Sequence, residues 1–411
     1  MLWPQASDYR EAVQNMSLSF RDQELIAGQP ASNALGLPTI WTGNFASVFH
    51  VQGTTPQQNW ALKCFTKDKP GLQERYREIH AHLEQQRQRL PFMVGFSYLP
   101  EEVLVRGQRY PLLKMDWVEG LRLDEFLADL LTKADWKSRL RRLCEMWLRL
   151  AQMLRDAEVA HGDLQHGNVL LVPVAGKEET FNLRLIDYDG MCVPALRDQP
   201  PGEVGHPAYQ HPERLARGTH GLEIDRFSHL VIYTTLRCLI AGGRELWERH
   251  YDGDRLLLGH QDLAAPEQSA VFRELWQLEE PAVPNLVGHL ALAAKGPLEE
   301  APLLSQLVLD SKVVALNAAQ QDQVNKWLSV PEAVRMPGEP PESGAAPETS
   351  QPAQTRVEAE AVTDSDAAPG QETQWQEAEP AFAQPPLGRL RTRLATVATA
   401  AVAWAQTQRQ G

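Results

Sequence analysis

The chain has 411 residues, with 53 acidic and 40 basic side chains giving a formal net charge of −13, and 43% hydrophobic against 23% charged residues. At roughly 150 residues per unit this length exceeds one ordinary domain, and the composition is that of a globular protein with a real core, which excludes collagen-like and wholly disordered classes. The acidic balance argues against a general attraction to nucleic acid or anionic lipid, and Cys64, Cys144, Cys192 and Cys238, with no C-x-x-C pair, indicate neither a disulfide framework nor a structural zinc site.

The opening MLWPQASDYREAV lacks the basic start and apolar stretch of a secretory signal, so the expected setting is the cytoplasm. Residues 1–35 read as an N-terminal extension. Ile40 to Val51 and Trp60 to Phe65 read as β-rich segments around the turn-like GTTPQQN, followed by a polar helix from Leu72 to Gln88. Leu140, Leu143, Trp147, Leu150 and Leu154 fall at helical spacing, and the apolar runs VLLV and LRLI, beginning at Val169 and Leu183, flank a polar loop. Phe227 to Ile240 is apolar nearly all round, which predicts a central helix. The order predicts an α+β protein of two lobes, a small β-rich one over 36–118 and a larger helical one over 119–330.

From Pro331 to Pro386 ten prolines and eleven acids stand against only Arg335 and Arg356, a composition that predicts a disordered acidic linker. Beyond it, Leu387, Leu390, Leu394, Val397, Ala401 and Trp404 predict an amphipathic helix over 387–408, able to rest on its own protein, a partner helix or a membrane surface. The longest run of apolar and small residues, Leu394 to Ala405, spans about 18 Å as a helix against a hydrocarbon core of about 30 Å, so no transmembrane segment is expected.

The sharpest local signal is HGDLQHGNVLL, His161 to Leu171, with Asp163 five residues before Asn168 on a loop between a helix and a strand. Such an Asp can accept a proton from an attacking hydroxyl while the Asn oxygen reaches magnesium, a pattern suited to phosphoryl transfer. Nineteen residues on, LIDYDG puts Asp187 at a strand tip, where its carboxylate completes an oxygen shell for the ion. Upstream, Trp60, Ala61, Leu62 and Lys63 place an ammonium on a strand, fit to orient nucleotide phosphates, with Glu78 on the next helix as its expected anionic partner. His80 and His82 are two residues apart on a helix and face different sides, which disfavours a metal clamp.

This ordered set resembles the eukaryotic-type protein kinase fold over residues 36 to 310, and the opening DYREAVQN with HGDLQHGN is similar to an atypical bacterial branch of it. The glycine-rich loop corresponds to W-T-G-N-F-A-S-V, in which Trp41 and Ala46 replace the outer glycines while Gly43, Phe45 and Val48 fit. LLKMDWVEG resembles the hinge, which implies Met115 as gatekeeper, and Asp116, Trp117 and Val118 as backbone partners of an adenine, with Ala61 also lining the nucleotide site. GHPAYQHPE and DRFSHLVIY resemble the large-lobe motifs that make Glu213 and Asp225 structural anchors; they favour a protein substrate over the small molecules of aminoglycoside and choline kinases, whose loops also read His-Gly-Asp.

The departures carry expectations of their own. Gly162 stands where the family has an Arg, Gln165 where serine/threonine kinases carry a Lys, and His206 where they carry a Thr. Tyr188 and Asp189 replace the Phe and Gly of D-F-G, which implies a restricted flip, with Gly190 supplying the turn. Between Asp187 and Glu213 there is no Ser or Thr, so activity is expected not to depend on their phosphorylation there; a large activity change traced by mass spectrometry to such a site would overturn this.

The resulting reading is an ATP- and magnesium-dependent kinase of protein serine or threonine, with Asp163 as base, Asn168 and Asp187 on the metal, Lys63 on phosphates and Glu78 on Lys63. A nucleotide-binding pseudokinase scaffold and a small-molecule phosphotransferase stand as alternatives.

Overall fold

The computed structural model describes residues 3–329 apart from Asn44, Ala175 and the side chains of 177–179. The acidic linker and the C-terminal helix expected beyond residue 330 lie outside the described residues. Among the latter, no helix is long and apolar enough to cross a membrane.

Three short helices open the chain, α1 (Ala6–Gln14), α2 (Met16–Ser19) and α3 (Gln23–Ile26). The strands β1 (Gln29–Pro30), β2 (Ile40–Thr42), β3 (Ala46–Gln52), β4 (Asn59–Phe65), β5 (Phe96–Val105) and β6 (Gln108–Asp116) build one antiparallel sheet of order β1-β3-β4-β6-β5, with β2 also on β3. Helix α4 (Leu72–Gln85) lies between β4 and β5 in the chain. Because side chains alternate across a strand, β4 divides its residues between two cores. Trp60, Leu62 and Cys64 join Phe49, Val51 and Leu112 on one face, while Phe65 joins Tyr76, Phe96, Leu113 and Met115 on the other.

The first of these faces is covered by the N-terminal helices. Tyr9, Val13, Met16, Phe20 and Leu25 are buried in the same cluster as Phe49 and Leu62. Polar pins fix the register: the Tyr9 hydroxyl donates to the Phe65 carbonyl at 2.6 Å, and buried Glu102 accepts the amides of Arg21 and Asp22 at 2.7 Å each. Lys114 pairs with Asp22 and Glu24 and lies 4.5 Å from the Trp60 ring centroid. The boundary drawn at residue 35 therefore separates no packing unit, since residues 3–30 form one wall of the small lobe. Five buried side chains at about 2 kcal/mol each contribute about 10 kcal/mol, as much as the whole net stability of an ordinary domain. A chain lacking residues 1–30 is expected to lose the sharp calorimetric unfolding transition of the full-length protein.

After the hinge, β7 (Leu121–Arg122) pairs with the hairpin of β8 (Val169–Val174) and β9 (Lys177–Leu185), and the helices α5 (Leu123–Leu130) and α6 (Trp136–Asp156) precede that hairpin. The predicted stripe on α6 is buried from Leu140 to Leu154. It packs on α8 (Asp225–His250), which follows α7 (Pro212–Arg217) and is kinked at Gly243, where φ is +57°. The expected central helix is the buried first half of α8. The shell is completed by α9 (His260–Ala264), α10 (Ala270–Trp276), α11 (Val283–Lys295), α12 (Leu304–Leu307), the strands β10 (Val308–Leu309) and β11 (Lys312–Val313), and α13 (Ala318–Leu328). The architecture is α+β in two lobes, as the element order predicted.

Candidate active site

The loop from Ala160 to Asn168 is held from below by Asp225, the first residue of α8. Its carboxylate, 4% exposed, accepts the amides of His161 at 2.5 Å and Gly162 at 2.9 Å. His161 donates from Nε2 to the Ile186 carbonyl at 3.0 Å, which leaves Nδ1 to accept the Asp163 amide at 3.4 Å. Buried Arg214 donates to the Gly162 carbonyl at 2.7 Å. These bonds fix the loop backbone from His161 to Asp163.

Three donors converge on the Asp163 carboxylate. Oδ1 accepts the His206 amide at 2.7 Å, and Oδ2 accepts Asn168 Nδ2 at 2.8 Å and Gln165 Nε2 at 3.4 Å. Asn168 Nδ2 also donates to the Asp163 carbonyl at 2.9 Å, so its amide oxygen remains as the acceptor for a hard cation. The Ile186 amide bonds to the Asn168 carbonyl at 3.1 Å at the end of the β8–β9 ladder, which brings Asp187 beside Asn168. Asp187 has φ +66°, a left-handed conformation that Asp tolerates better than most residues. Oxygen donors of this kind suit magnesium shared with phosphates; among the described residues no group of three or more His, Cys, Asp or Glu could hold a metal ion.

Lys63 reaches the same point from the small lobe, flanked on the sheet by Val48 and Leu113. Its Nζ lies 2.6 Å from Asp187 Oδ1 and 2.9 Å from Asp189 Oδ1. Burial would lower its pKa, but these two carboxylates raise it above the ordinary lysine value. The expected pair with Glu78 is corrected: Glu78 lies beside Arg77 at 3.2 Å with its side chain 31% exposed, and the ion pairs of Lys63 are both with aspartates. The reason is helix phase. The buried stripe of α4 is Leu72, Arg75, Tyr76, Ile79 and Leu83, and Glu78, two residues from Tyr76, falls off it.

The hinge is also altered. Met115 is buried opposite Ala61 and Phe96, but the amides of Asp116 and Trp117 already donate to the carbonyls of Gly95 at 2.9 Å and Asn59 at 2.8 Å. Of the three expected hinge residues, Val118 alone has no backbone acceptor for its amide among the described residues. The Trp117 ring stacks on His50 at 3.9 Å and meets Trp41 at 5.6 Å, which places an aromatic group where the family has a flexible glycine. Phe45 lies beneath Lys67 and Lys69, and Gly43 donates its amide to the Ala46 carbonyl at 2.9 Å.

Two departures noted separately in the sequence are one structural event. Gly162 has φ +79°, and a Cβ there would sit 1.9 Å from the Gly190 carbonyl oxygen. The strands of chain cross here, with Ala160 and Cys192 exchanging amide bonds of 2.9 and 2.8 Å. An Arg at 162 has no room; Gly190 lies in the turn closed by the Met191 amide on the Tyr188 carbonyl at 3.1 Å, and Asp187 just before it has positive φ. Tyr188 is 1% exposed; its hydroxyl accepts the Val94 amide at 2.7 Å and lies 3.0 Å from the carbonyls of Val94 and Leu185. That bonding opposes a flip of the segment.

The sequence reading missed Tyr76, Asp189 and Glu203. Burial would raise the Asp189 carboxyl, but Lys63, Lys69 and the Tyr76 hydroxyl carry it down to about 2. Glu203 is pushed up to about 8 by burial and by the carboxylates of Asp187, Asp189 and Asp163. Since the unfolded group titrates near 4.5, the native state retains a proton between pH 4.5 and 8 that the unfolded state has released, and stability falls across that window. In magnesium-free buffer, Glu203→Gln is expected to raise the melting temperature by an amount that grows from pH 4.5 to 8 and then levels off.

No curated protein matches the chain. The family model described as the protein kinase domain matches residues 37–262, more than half of the chain and the stretch that contains every residue of this cleft, and the chain belongs to that family.

Proposed function

We propose that the chain is an ATP- and magnesium-dependent protein kinase that phosphorylates serine or threonine side chains. The observation that carries this reading is the convergence of Lys63, Asp163, Asn168 and Asp187 on one point of the cleft, with Lys63 to Asp187 at 2.6 Å and Asn168 to Asp163 at 2.8 Å. Magnesium-ATP, when bound, supplies the phosphoryl group and neutralises charge on it. Asp163 orients the acceptor hydroxyl and takes its proton, while Asn168 and Asp187 hold the ion and Lys63 holds the phosphates. The segment from Asp187 to Glu213 has no Ser or Thr, and its Tyr188 and Tyr209 are each 1% exposed, which supports an activity that does not depend on Ser/Thr phosphorylation there.

A second reading, a nucleotide-binding scaffold without transfer, is favoured by Trp41 and Ala46 in the glycine loop and by Gln165, whose amide is engaged within its own loop in place of a cation. Thermal shift with magnesium-ATP followed by radiolabel transfer to a generic protein acceptor separates the two. Stabilisation with transfer that is lost in Asp163→Asn supports the kinase, stabilisation without transfer supports the scaffold, and transfer to an amino sugar or amino alcohol alone overturns the protein substrate.

A further inference from the structure

The geometry points to Asp189 as the residue that positions Lys63, in the role the sequence pattern offers to Glu78, with the Tyr76 hydroxyl as its link to α4. This rests on the cleft being a nucleotide site. Lys63 Nζ has two carboxylate partners, Asp187 at 2.6 Å and Asp189 at 2.9 Å, and Asp187 is the one that the proposed function assigns to magnesium. Asp187, 39% exposed and beside Asn168, is the one that turns to the ion; Asp189, 4% exposed, stays. Its Oδ1 also accepts the Tyr76 hydroxyl, and its Oδ2 lies 3.4 Å from Lys69 Nζ, so both oxygens are fixed without rearrangement.

The arrangement replaces a salt bridge between strand and helix with a relay. Lys63 on β4 meets a carboxylate on the segment after β9, and that carboxylate meets a phenol on α4. A displacement of α4 is thereby felt at Lys63 through Tyr76. The neighbouring Arg75 reinforces the same contact, donating to the Met191 carbonyl at 3.0 Å and to that of Pro200. Glu78 has no part in it.

The test uses the full-length protein, a non-hydrolysable ATP analogue with magnesium for affinity, and steady-state transfer to an acceptor protein. Asp189→Asn is expected to weaken nucleotide binding about 10-fold and to lower kcat/KM for ATP about 100-fold, with the KM for the acceptor unchanged. Asp189→Glu, which keeps the charge, is expected to recover part of the loss, and Tyr76→Phe, which removes one hydroxyl, to weaken nucleotide binding about 3-fold. Glu78→Gln is expected to stay within about 2-fold of the wild type. The inference is overturned if Glu78→Gln produces the large loss and Asp189→Asn does not, or, should Asp189→Asn fail to fold, if Tyr76→Phe binds the analogue as the wild type does. A wild-type protein that fails to bind the analogue overturns the nucleotide reading itself, whereas binding insensitive to Asp189 and Tyr76 overturns the relay alone.

Discussion

Asp163→Asn is expected to lower the rate of phosphoryl transfer about 1,000-fold, within the range that a positioned general base contributes, measured in single-turnover reactions with labelled ATP. The substitution removes the proton acceptor, and it also disturbs a tightly satisfied cluster. The carboxylate receives the His206 amide on one oxygen and Asn168 Nδ2 with Gln165 Nε2 on the other. An Asn at this place has a single acceptor oxygen, so its own NH2 must face a donor. If it faces Asn168, that amide is driven to turn and offers nitrogen to the cation site. A modest weakening of magnesium-nucleotide binding is therefore expected beside the much larger loss of rate. Transfer within 10-fold of the wild type would remove Asp163 from the role of base.

The large-scale architecture was legible because periodicity carries it. The stripe on α6 and the apolar first half of α8 each stand in the structure as burial, and Asp163, Asn168 and Asp187 lie near one end of the β8–β9 hairpin. What was not legible depended on phase or on contacts across the fold. Glu78 matched a pattern of residue types, yet Leu72, Tyr76, Ile79 and Leu83 already defined the inward face of α4 and excluded it. The same stripe could have singled out Tyr76. Asp189 in DYDG looked like a lost glycine because nothing local reveals that Lys63 and Tyr76 meet there. The N-terminal helices were set apart because their apolar residues find partners far downstream in the chain, as in the bond from Tyr9 to Phe65.

Asp225→Ala is expected to be the most destabilising single change in the large lobe, by roughly 3–5 kcal/mol, since it breaks a buried charged network by removing one partner. The carboxylate carries two backbone amides that have no other acceptor, those of His161 and Gly162, and an unmade bond to a buried N–H costs about 1–3 kcal/mol. Arg214 adds to the penalty, because burial lowers its pKa and the Asp225 charge opposes that fall, so its loss leaves the guanidinium less well compensated. Asp225→Asn is expected to cost less, because the amide oxygen retains one of the two bonds. The effect reaches the chemistry through a short lever: Gly162 precedes Asp163, and its carbonyl is held by Arg214 while its Cα faces the crossing chain at Gly190. Once the two amides are released, the Asp163 carboxylate loses its fixed direction, and kcat is expected to fall by more than the unfolded fraction accounts for. Denaturant titration with transfer assays on the folded fraction separates the two effects; an Asp225→Ala protein that melts with the wild type and transfers at its rate would show that the loop is held by its other bonds alone.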